Sequence, residues 1–340
     1  METTQVVIIG AGPAGSTCAY LLQKAGINCI LIDYATFPRE KICGGGLTPK
    51  AYELLQELMP DFHYNYQGVN RFKLMMDGAV LCEVDLDKEL RMVLRKEFDH
   101  ALLQQYLAIG GRFHQGAFLR YDELADGKIK VTLKSGEQFL CDDLVGADGA
   151  NSRVRKQLTG QRAMNCLFLE QYVEKGPNEF VFEFSKQYQR GYYYSFPNVG
   201  CDIVGIGGES ASAEELRSLL KGKGIREMKH VNDAVIKGAF IPVNTLNSGK
   251  KHMMLIGDAG GYANKLTYEG LYYAIATGRN AAEAIINNQD FTSINRKLFR
   301  KKQRKEVFLS GLCYSRFGLW LMKLGSRRPS LIKKAFEMNY

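Results

Sequence analysis

VVIIGAGPAGSTCAYLLQKAGINCILID, residues 6–33, reads as strand, glycine turn, helix and strand. Val6, Val7, Ile8 and Ile9 form an unbroken apolar run, as a parallel strand covered on both faces requires. Gly10, Gly12 and Gly15 follow as G-x-G-x-x-G. The first glycine permits the turn, the second lets a pyrophosphate approach the backbone, and the third lets helix and strand pack closely. Ala14, Cys18, Leu21, Leu22 and Ala25 recur at helical spacing, and Gly26 ends the helix. Ile30 to Ile32 is the next buried strand, and Asp33 stands at its end, where an acid accepts the ribose hydroxyls of an adenine nucleotide. A glycine pattern alone is a weak signal. Here strand, helix and acid are in register, which favours a nucleotide site over an empty glycine turn.

The chain of 340 residues is 46% hydrophobic, enough for a sizeable core in two lobes. With 45 Lys+Arg against 36 Asp+Glu the formal net charge is +9. Most of the excess lies after residue 295, so it concerns the tail and not the nucleotide lobe. Eight scattered cysteines without a C-x-x-C, and a first strand starting at residue 6, predict free thiols in a reducing cytoplasm and no metal site. No window reaches 18 uninterrupted apolar residues, so no bilayer-spanning helix is expected.

Downstream of Asp33, Pro38 and the triplet Gly44-Gly45-Gly46 mark an irregular loop, followed by a helix over 51–58 with Thr48 as N-cap and Pro49 at its first position. Three consecutive glycines are costly in entropy. Close backbone approach to a flat ligand would justify them, and an ordinary flexible turn is the alternative. Arg39 and Lys41 flank the loop as candidate anion holders, and Cys43 precedes the triplet. Residues 69–87 alternate around Asp77-Gly78 as a β-hairpin with Phe72, Leu74 and Met76 on one face, assigned to the second lobe. Residues 91–109 are expected to be helical, with Arg95 and Asp99 as an i,i+4 pair. That pair reads either as a solvated salt bridge or as an arginine aimed at dinucleotide phosphates.

Residues 112–142 read as strand, hairpin and strand, turning at Ser135-Gly136. Leu144 and Val145 then form a short buried strand ending in the turn Ala147-Asp148-Gly149-Ala150, after which Arg153 and Arg155 open a helix. Residues 166–208 predict an antiparallel sheet, unusually aromatic, with Tyr192, Tyr194 and Phe196 sharing a face. Such a face is either plain core or the wall of a large apolar pocket. A helix over 213–229 follows. The second anchor is 253–286: a buried strand Met253 to Ile256, then Gly257-Asp258, Gly260-Gly261, and a long helix from about Glu269 rich in small residues that permit close approach. Its N-terminus near Gly270 offers free N–H groups, with Lys265 and Glu269 beside it. Residues 296–305 are strongly basic, and 307–336 continue as an amphipathic pattern. Helices packed on the body and a membrane-surface contact both fit that pattern. Nucleic-acid binding fits poorly, because the aromatic residues follow the apolar face.

Three separated motifs, G-x-G-x-x-G with its acid, G-A-D-G and G-D-A-G-G, together resemble the FAD-dependent oxidoreductases of the p-hydroxybenzoate hydroxylase type. Within that group KICGGG at 41–46, and Tyr192, Tyr194, Phe196 and Pro197 followed seven residues later by the G-x-G at Gly205, resemble the geranylgeranyl reductase family. The likeness covers roughly residues 4–286. It departs where the family usually has a proline, at Lys265 to Tyr268.

The resemblance implies an α/β fold: a Rossmann-like FAD-binding domain (1–68, 91–160 and 245–290), an inserted antiparallel-sheet substrate domain (69–90 and 161–244), and C-terminal helices over 291–340. It implies FAD held by Gly10, Gly12, Pro13, Ala14, Gly15, Asp33, Tyr34, Arg39, Cys43, Gly44, Arg95, Ala117, Phe118, Asp148, Gly149, Gly257, Asp258, Gly260, Gly261, Gly270 and Leu271. Cys43, Gly45 and Gly46 would pass close to the reacting ring, and Tyr192, Tyr194, Phe196, Pro197, Gly205 and Lys265 would line the substrate pocket. The activity implied is reduction of carbon–carbon double bonds in a prenyl or other lipid-like substrate. Oxygen insertion by a hydroxylase on the same scaffold is the alternative, and a redox sensor acting through Cys43 without turnover is another; halogenation is disfavoured because W-x-W-x-I-P is absent. No second G-x-G-x-x-G exists, so electrons are expected from transient NAD(P)H docking or a small redox protein. The expected location is the cytoplasm, with the inner membrane face as a peripheral alternative.

Overall fold

The computed structural model describes residues 1–338 except 162–164, 189, 210, 227–231 and 244–247. The described residues build a sheet of six strands in the order Gly249–Lys250, Met253–Leu255, Asp143–Gly146, Val6–Ile9, Cys29–Asp33 and Arg112–Gln115. Neighbours run parallel except the antiparallel Gly249–Lys250 edge. Val6–Ile9 is buried along its whole length, and its alternation explains why. Val6 and Ile8 face helices, whereas Val7 and Ile9 face a second sheet of Glu2–Thr3, Gln138–Cys141, Ile129–Leu133 and Phe118–Glu123. Two covered faces leave no place for a polar residue on the strand.

The helices follow in chain order: α1 (Pro13–Lys24), α2 (Pro49–Leu58), α3 (Arg95–Ala108), α4 (Arg153–Thr159), α5 (Ala213–Arg226), α6 (Leu271–Ile286), α7 (Phe291–Cys313), α8 (Arg316–Gly325) and α9 (Pro329–Glu337). The small residues foreseen on α6 bring it against α1. A Cβ on Gly278 would lie 2.5 Å from the Ala14 carbonyl oxygen, so only glycine permits this crossing. Asp290 caps α7 by accepting from the Thr292 and Ser293 N–H groups, and Ser315 caps α8 by accepting from Gly318 N–H.

The third sheet has eight described strands: Lys237–Pro242, Asn165–Val173, Asp202–Gly208, Tyr192–Pro197, Phe180–Phe184, Gln67–Met76, Ala79–Met92 and Gly46–Leu47. The hairpin turns where expected, at Asp77 (φ 50) and Gly78 (φ 87). One pair departs from the antiparallel expectation: Phe180–Phe184 lies parallel to Gln67–Met76, which joins the hairpin to the later strands. One face of this sheet carries Tyr193, Val204 and Ile206 against α5, and the other carries the aromatic row. The glutamate–lysine pair under α5, Glu183 with Lys223, is buried.

Several boundaries differ from the sequence expectation. The strand ending at Met92 runs through residues expected to open a helix, and α3 starts only at Arg95. Met92 and Val93 are fully buried, so tertiary burial overrides the helical spacing. The strand over 253–256 ends at Leu255 and α6 begins at Leu271, with Gly270 as N-cap. Of the helix expected over 213–229, Ala213–Arg226 is helical and the remainder lies outside the described residues. The hairpin region divides, because Arg112–Gln115 joins the parallel sheet and the later strands form the smaller one. All eight cysteines are free, and no helix among the described residues is long and apolar enough to cross a membrane.

Candidate active site

The Val6–Ile9 and Asp143–Gly146 strands lie side by side, yet their following segments leave toward different parts of the fold. A parallel sheet opens a crevice at such a switch point, beyond the carboxyl ends of its strands. Gly10 occupies that edge with φ 109, and a Cβ there would meet the Ala147 carbonyl oxygen at 2.3 Å. A Cβ on Gly15 would lie 1.8 Å from the Gly10 carbonyl oxygen. The turn is therefore closed to side chains and open to a ligand. Asp33, at the end of the neighbouring strand, is buried and accepts from Ala11 N–H at 2.7 Å and Ala35 N–H at 2.9 Å.

From this turn a cavity of about 980 Å³ extends to the aromatic face of the eight-stranded sheet. Gly10, Gly12, Pro13, Ala14, Asp33 and Tyr34 line its nucleotide end, with Arg39, Arg95, Ala117, Phe118, Asp148, Gly149, Asp258, Gly270 and Leu271. Cys43, Gly44, Gly45 and Gly46 line its middle, and Tyr192, Tyr194 and Phe196 its far end. Gly15, Gly257, Gly260, Gly261, Pro197, Gly205 and Lys265 are not among its lining residues. Gly15 and Gly257 support the wall: a Cβ on Gly257 would lie 2.9 Å from the Ala14 Cβ. Gly260 and Gly261 form the tight turn after the strand. Gly205 makes room for a ring, since a Cβ there would sit 2.3 Å from Tyr194. Lys265 stands 3.6 Å from Glu209 as an ion pair.

The glycine triplet is a fitted loop. A Cβ on Gly44 would meet the Phe196 ring at 2.6 Å, and Gly45 has φ 77 with its hypothetical Cβ 2.0 Å from the Val93 carbonyl oxygen. Cys43 N–H donates to Glu170 Oε1 at 2.6 Å, tying the loop to the sheet. Thr48 is the N-cap residue of α2, as expected, and its hydroxyl donates to Glu269 at 2.6 Å and not to the helix. Glu269 also pairs with Lys50 at 2.7 Å, so the loop, α2 and the approach to α6 are cross-linked.

Arg95 and Asp99 form neither the solvated pair nor a free phosphate arm. Both are buried, and the guanidinium is held in two parallel bonds of 2.7 and 2.8 Å. Arg39 adds a third contact to Asp99 at 3.1 Å and lies over the turn, 3.5 Å from where a Gly12 Cβ would be. Asp148 spends its carboxylate on the start of α4, accepting from Arg153 N–H at 2.7 Å and Val154 N–H at 3.2 Å. Asp258 faces the cavity beside Gly270, and burial pushes its carboxyl above the ordinary value while Lys41, Arg95 and Arg155 pull it down. A carboxylate presented to a cavity beside a helix start suits sugar or ribityl hydroxyls, which donate to it.

Phe168, Phe180 and Phe182, from the aromatic sheet expected over 166–208, also line the cavity, as do Glu170 and Phe336, which sequence reasoning missed. Glu170 shares the register face of Phe168 at i+2, and that alternation was the available signal. Tyr194 donates its hydroxyl to Glu170 Oε2 at 2.7 Å. Burial raises the Glu170 carboxyl above its usual range, opposed by Tyr194, the Cys43 N–H, Lys41 and Arg95.

The turn, its acid, and the length of the cavity fit a dinucleotide carrying a flat ring system. A family profile described as an FAD binding domain matches residues 3–167. An uncharacterised protein of Methanosarcina barkeri is 30% identical over 321 residues, covering 90% of this chain and 81% of that protein. A menaquinone reductase of Mycobacterium tuberculosis is 29% identical over 86% of this chain and 79% of its own length. A geranylgeranyl diphosphate reductase of Rhodobacter capsulatus is 28% identical over 82% of this chain and 73% of its own. The crystal structure of a geranylgeranyl bacteriochlorophyll reductase-like protein from Thermoplasma acidophilum superposes with a TM-score of 0.79 at 18% identity, covering 98% of each chain.

Proposed function

Because the chain belongs to the geranylgeranyl reductase family of FAD-dependent oxidoreductases, we propose that it reduces carbon–carbon double bonds of a prenyl or other lipid-like substrate. The observation that carries this reading is the cavity itself, which runs from the glycine turn to a wall of Phe168, Phe180, Phe182, Tyr192, Tyr194 and Phe196. Relatives named for menaquinone and for geranylgeranyl diphosphate, both prenylated molecules, support the same class of substrate.

In this reading the Gly10, Gly12 and Gly15 turn takes the pyrophosphate with Arg39 above it, Asp33 holds the adenosine ribose, and Asp258 the ribityl hydroxyls. Bound and reduced, the flavin supplies an electron pair and one hydrogen to the substrate. The chain's own share is to orient and to exclude water. The Cys43–Gly46 backbone brings no side chain larger than a thiol to the middle of the cavity, so a planar ring and an alkene can both approach it. The aromatic rings, packed edge-to-face at 4.6 Å for Phe182 and Tyr192 and stacked at 4.2 Å for Phe180 and Phe196, give a stiff apolar wall.

The reading extends to the C-terminal helices, where Phe317 and Trp320 are more than half exposed and stack at 5.8 Å. Arg316, Lys323, Arg327 and Arg328 lie close to them in the sequence. An exposed aromatic pair within a basic stretch of chain suits the surface of an anionic bilayer, from which a lipid-like substrate would enter.

The test is anaerobic incubation of dithionite-reduced holoenzyme with a panel of prenyl lipids, read by mass spectrometry. A gain of two hydrogens per reduced bond is expected. NADPH-dependent oxygen uptake with a hydroxylated product, and no hydrogen gain on any prenyl substrate, would overturn the proposal in favour of a hydroxylase.

A further inference from the structure

Reducing a double bond needs a proton as well as a hydride, and the aromatic end of the cavity contains a group built to hold one. Among the described lining residues, Glu170 is the only carboxylate that the eight-stranded sheet contributes. It is 4% exposed and makes no ion pair among the described contacts. Its two oxygens are engaged separately, Oε1 by the Cys43 N–H at 2.6 Å and Oε2 by the Tyr194 hydroxyl at 2.7 Å. Glu269, which lines the cavity beside Gly270, differs in kind. It pairs with Lys50 at 2.7 Å and accepts from Thr48, so both of its oxygens are engaged in anchoring α2.

We propose that Glu170 and Tyr194 form the proton relay of the reduction, Glu170 storing the proton and Tyr194 delivering it to the substrate carbon. The inference rests on the reductase reading above. Tyr194 projects from the same face as Tyr192 and Phe196, its ring edge would lie 3.2 Å from a Cβ on Gly44, and its hydroxyl lies over Gly205, so the ring lines the cavity beside the glycine loop while its oxygen reaches Glu170. The step balances as follows. The hydride carries one electron pair to one alkene carbon. With Glu170 protonated on Oε2, its O–H donates to the Tyr194 oxygen, which reverses the bond between them and turns the Tyr194 O–H to the substrate. The π pair then forms a C–H bond at the other carbon as the Tyr194 O–H bond breaks. The Glu170 O–H bond then breaks to restore the tyrosine, and water reprotonates the carboxylate.

The groups facing Glu170 from surrounding elements are Tyr194 on its sheet, Cys43 and Lys41 on the loop, Arg95 at the start of α3, and Lys237, registered opposite it on the edge strand. Burial outweighs them and favours the neutral acid. Tyr194 alone would be a poor donor, because burial and the neighbouring Glu170 raise its phenol far above the usual value. A relay removes that difficulty, since the charge ends on the carboxylate.

The test combines infrared spectroscopy of the protein without substrate and kinetics with it. At neutral pH the wild-type holoenzyme should show a protonated-carboxyl stretch that disappears in Glu170→Gln and shifts in Tyr194→Phe. Glu170→Gln should lose about 10²- to 10⁴-fold in the rate of double-bond reduction, with flavin content and the rate of flavin reduction by dithionite unchanged. Glu170→Asp should retain the infrared band and a measurable rate, which keeps the test usable if the glutamine variant folds poorly. Absence of the band in the wild type, or a Glu170→Gln enzyme that keeps the wild-type rate and pH profile, would overturn the relay. A wild type that reduces no prenyl substrate would instead overturn the reductase reading, and the infrared band distinguishes the two failures.

Discussion

If residues 44–46 were a flexible turn, alanine would be tolerated equally at all three positions. The structure predicts a steep series instead. At Gly46 a new Cβ would find Met92 Sδ at 3.7 Å, an ordinary contact, so Gly46→Ala should be neutral, or stabilise by about 0.4–1 kcal/mol through the unfolded chain. At Gly44 the Cβ falls 2.6 Å from Phe196 Cδ2. Optimal carbon contacts lie at about 3.5–4.0 Å, so ring or loop must yield by about 1 Å, an overpacking cost of about 1–3 kcal/mol. At Gly45 the left-handed backbone costs an L-residue about 1–2 kcal/mol, and the Cβ collides with the Val93 carbonyl oxygen at 2.0 Å. That oxygen also accepts from Asn198 Nδ2 at 3.2 Å, and losing the bond adds about 1 kcal/mol. Together these give a loss of about 2–3 kcal/mol for Gly45→Ala before the clash itself is counted. Urea unfolding by linear extrapolation measures all three. Phe196→Leu should return stability to Gly44→Ala and none to Gly45→Ala, with a coupling above about 0.5 kcal/mol in the first pair. Equal midpoints for the three alanines, or no rescue by leucine, would refute the fitted-loop argument.

Three further outcomes follow from the site. Asp258 titrates near 3.8 when unfolded and higher when folded, so the folded chain holds its proton more tightly and stability falls as pH rises through that window. Asp258→Asn should accordingly make the apo-protein more stable than wild type by a margin that widens from pH about 4 upward, while weakening FAD binding; a constant margin in parallel denaturation series would contradict this. Arg95→Met should cost about 3–5 kcal/mol by leaving Asp99 buried with only Arg39, whereas Arg95→Met combined with Asp99→Leu should recover most of the loss; a single variant unfolding at the wild-type urea midpoint would show that the pair is dispensable. In vesicle flotation, the protein should rise with phosphatidylglycerol vesicles and stay behind with phosphatidylcholine, and replacing Phe317 and Trp320 by glutamate should abolish flotation. Equal flotation with both lipids would remove the electrostatic part of the argument.

The residues that form the nucleotide turn were legible because their constraints are local. Val6–Ile9, Gly10 and Asp33 announce strand, turn and terminus within one short stretch, and no distant partner alters that reading. The aromatic face was legible for a similar reason, since period-two alternation places Tyr192, Tyr194 and Phe196 together wherever the strand goes. What stayed hidden depends on distant chain. Arg95 and Asp99 have the same spacing whether their helix faces water or a core, and only packing against the loop at Arg39 decides it. The start of α3 was misplaced because Met92 continues a strand that pairs with Gln67, 25 positions back. Gly205 looked like pocket lining because its cause, the Tyr194 ring lying over it, sits on a different strand. Glu170 gave no charge pattern at all. A single acid among apolar residues shows its meaning only when a tyrosine and a loop N–H converge on it.

Phe336, on the last helix, both lines the cavity and stacks on Phe72 at 4.3 Å. The helix that carries it is anchored to the hairpin strand by Lys333 with Asp87 and by the Asp87 N–H with Glu337 at 2.9 Å, bonds that lie at the surface. Under the proposed function, a hydrocarbon guest would be gauged by a bulkhead that belongs to the periphery of the molecule and not to its redox centre. Exchanging that one ring for a smaller or larger side chain would then alter how many isoprene units find berth, while the nucleotide turn is left untouched.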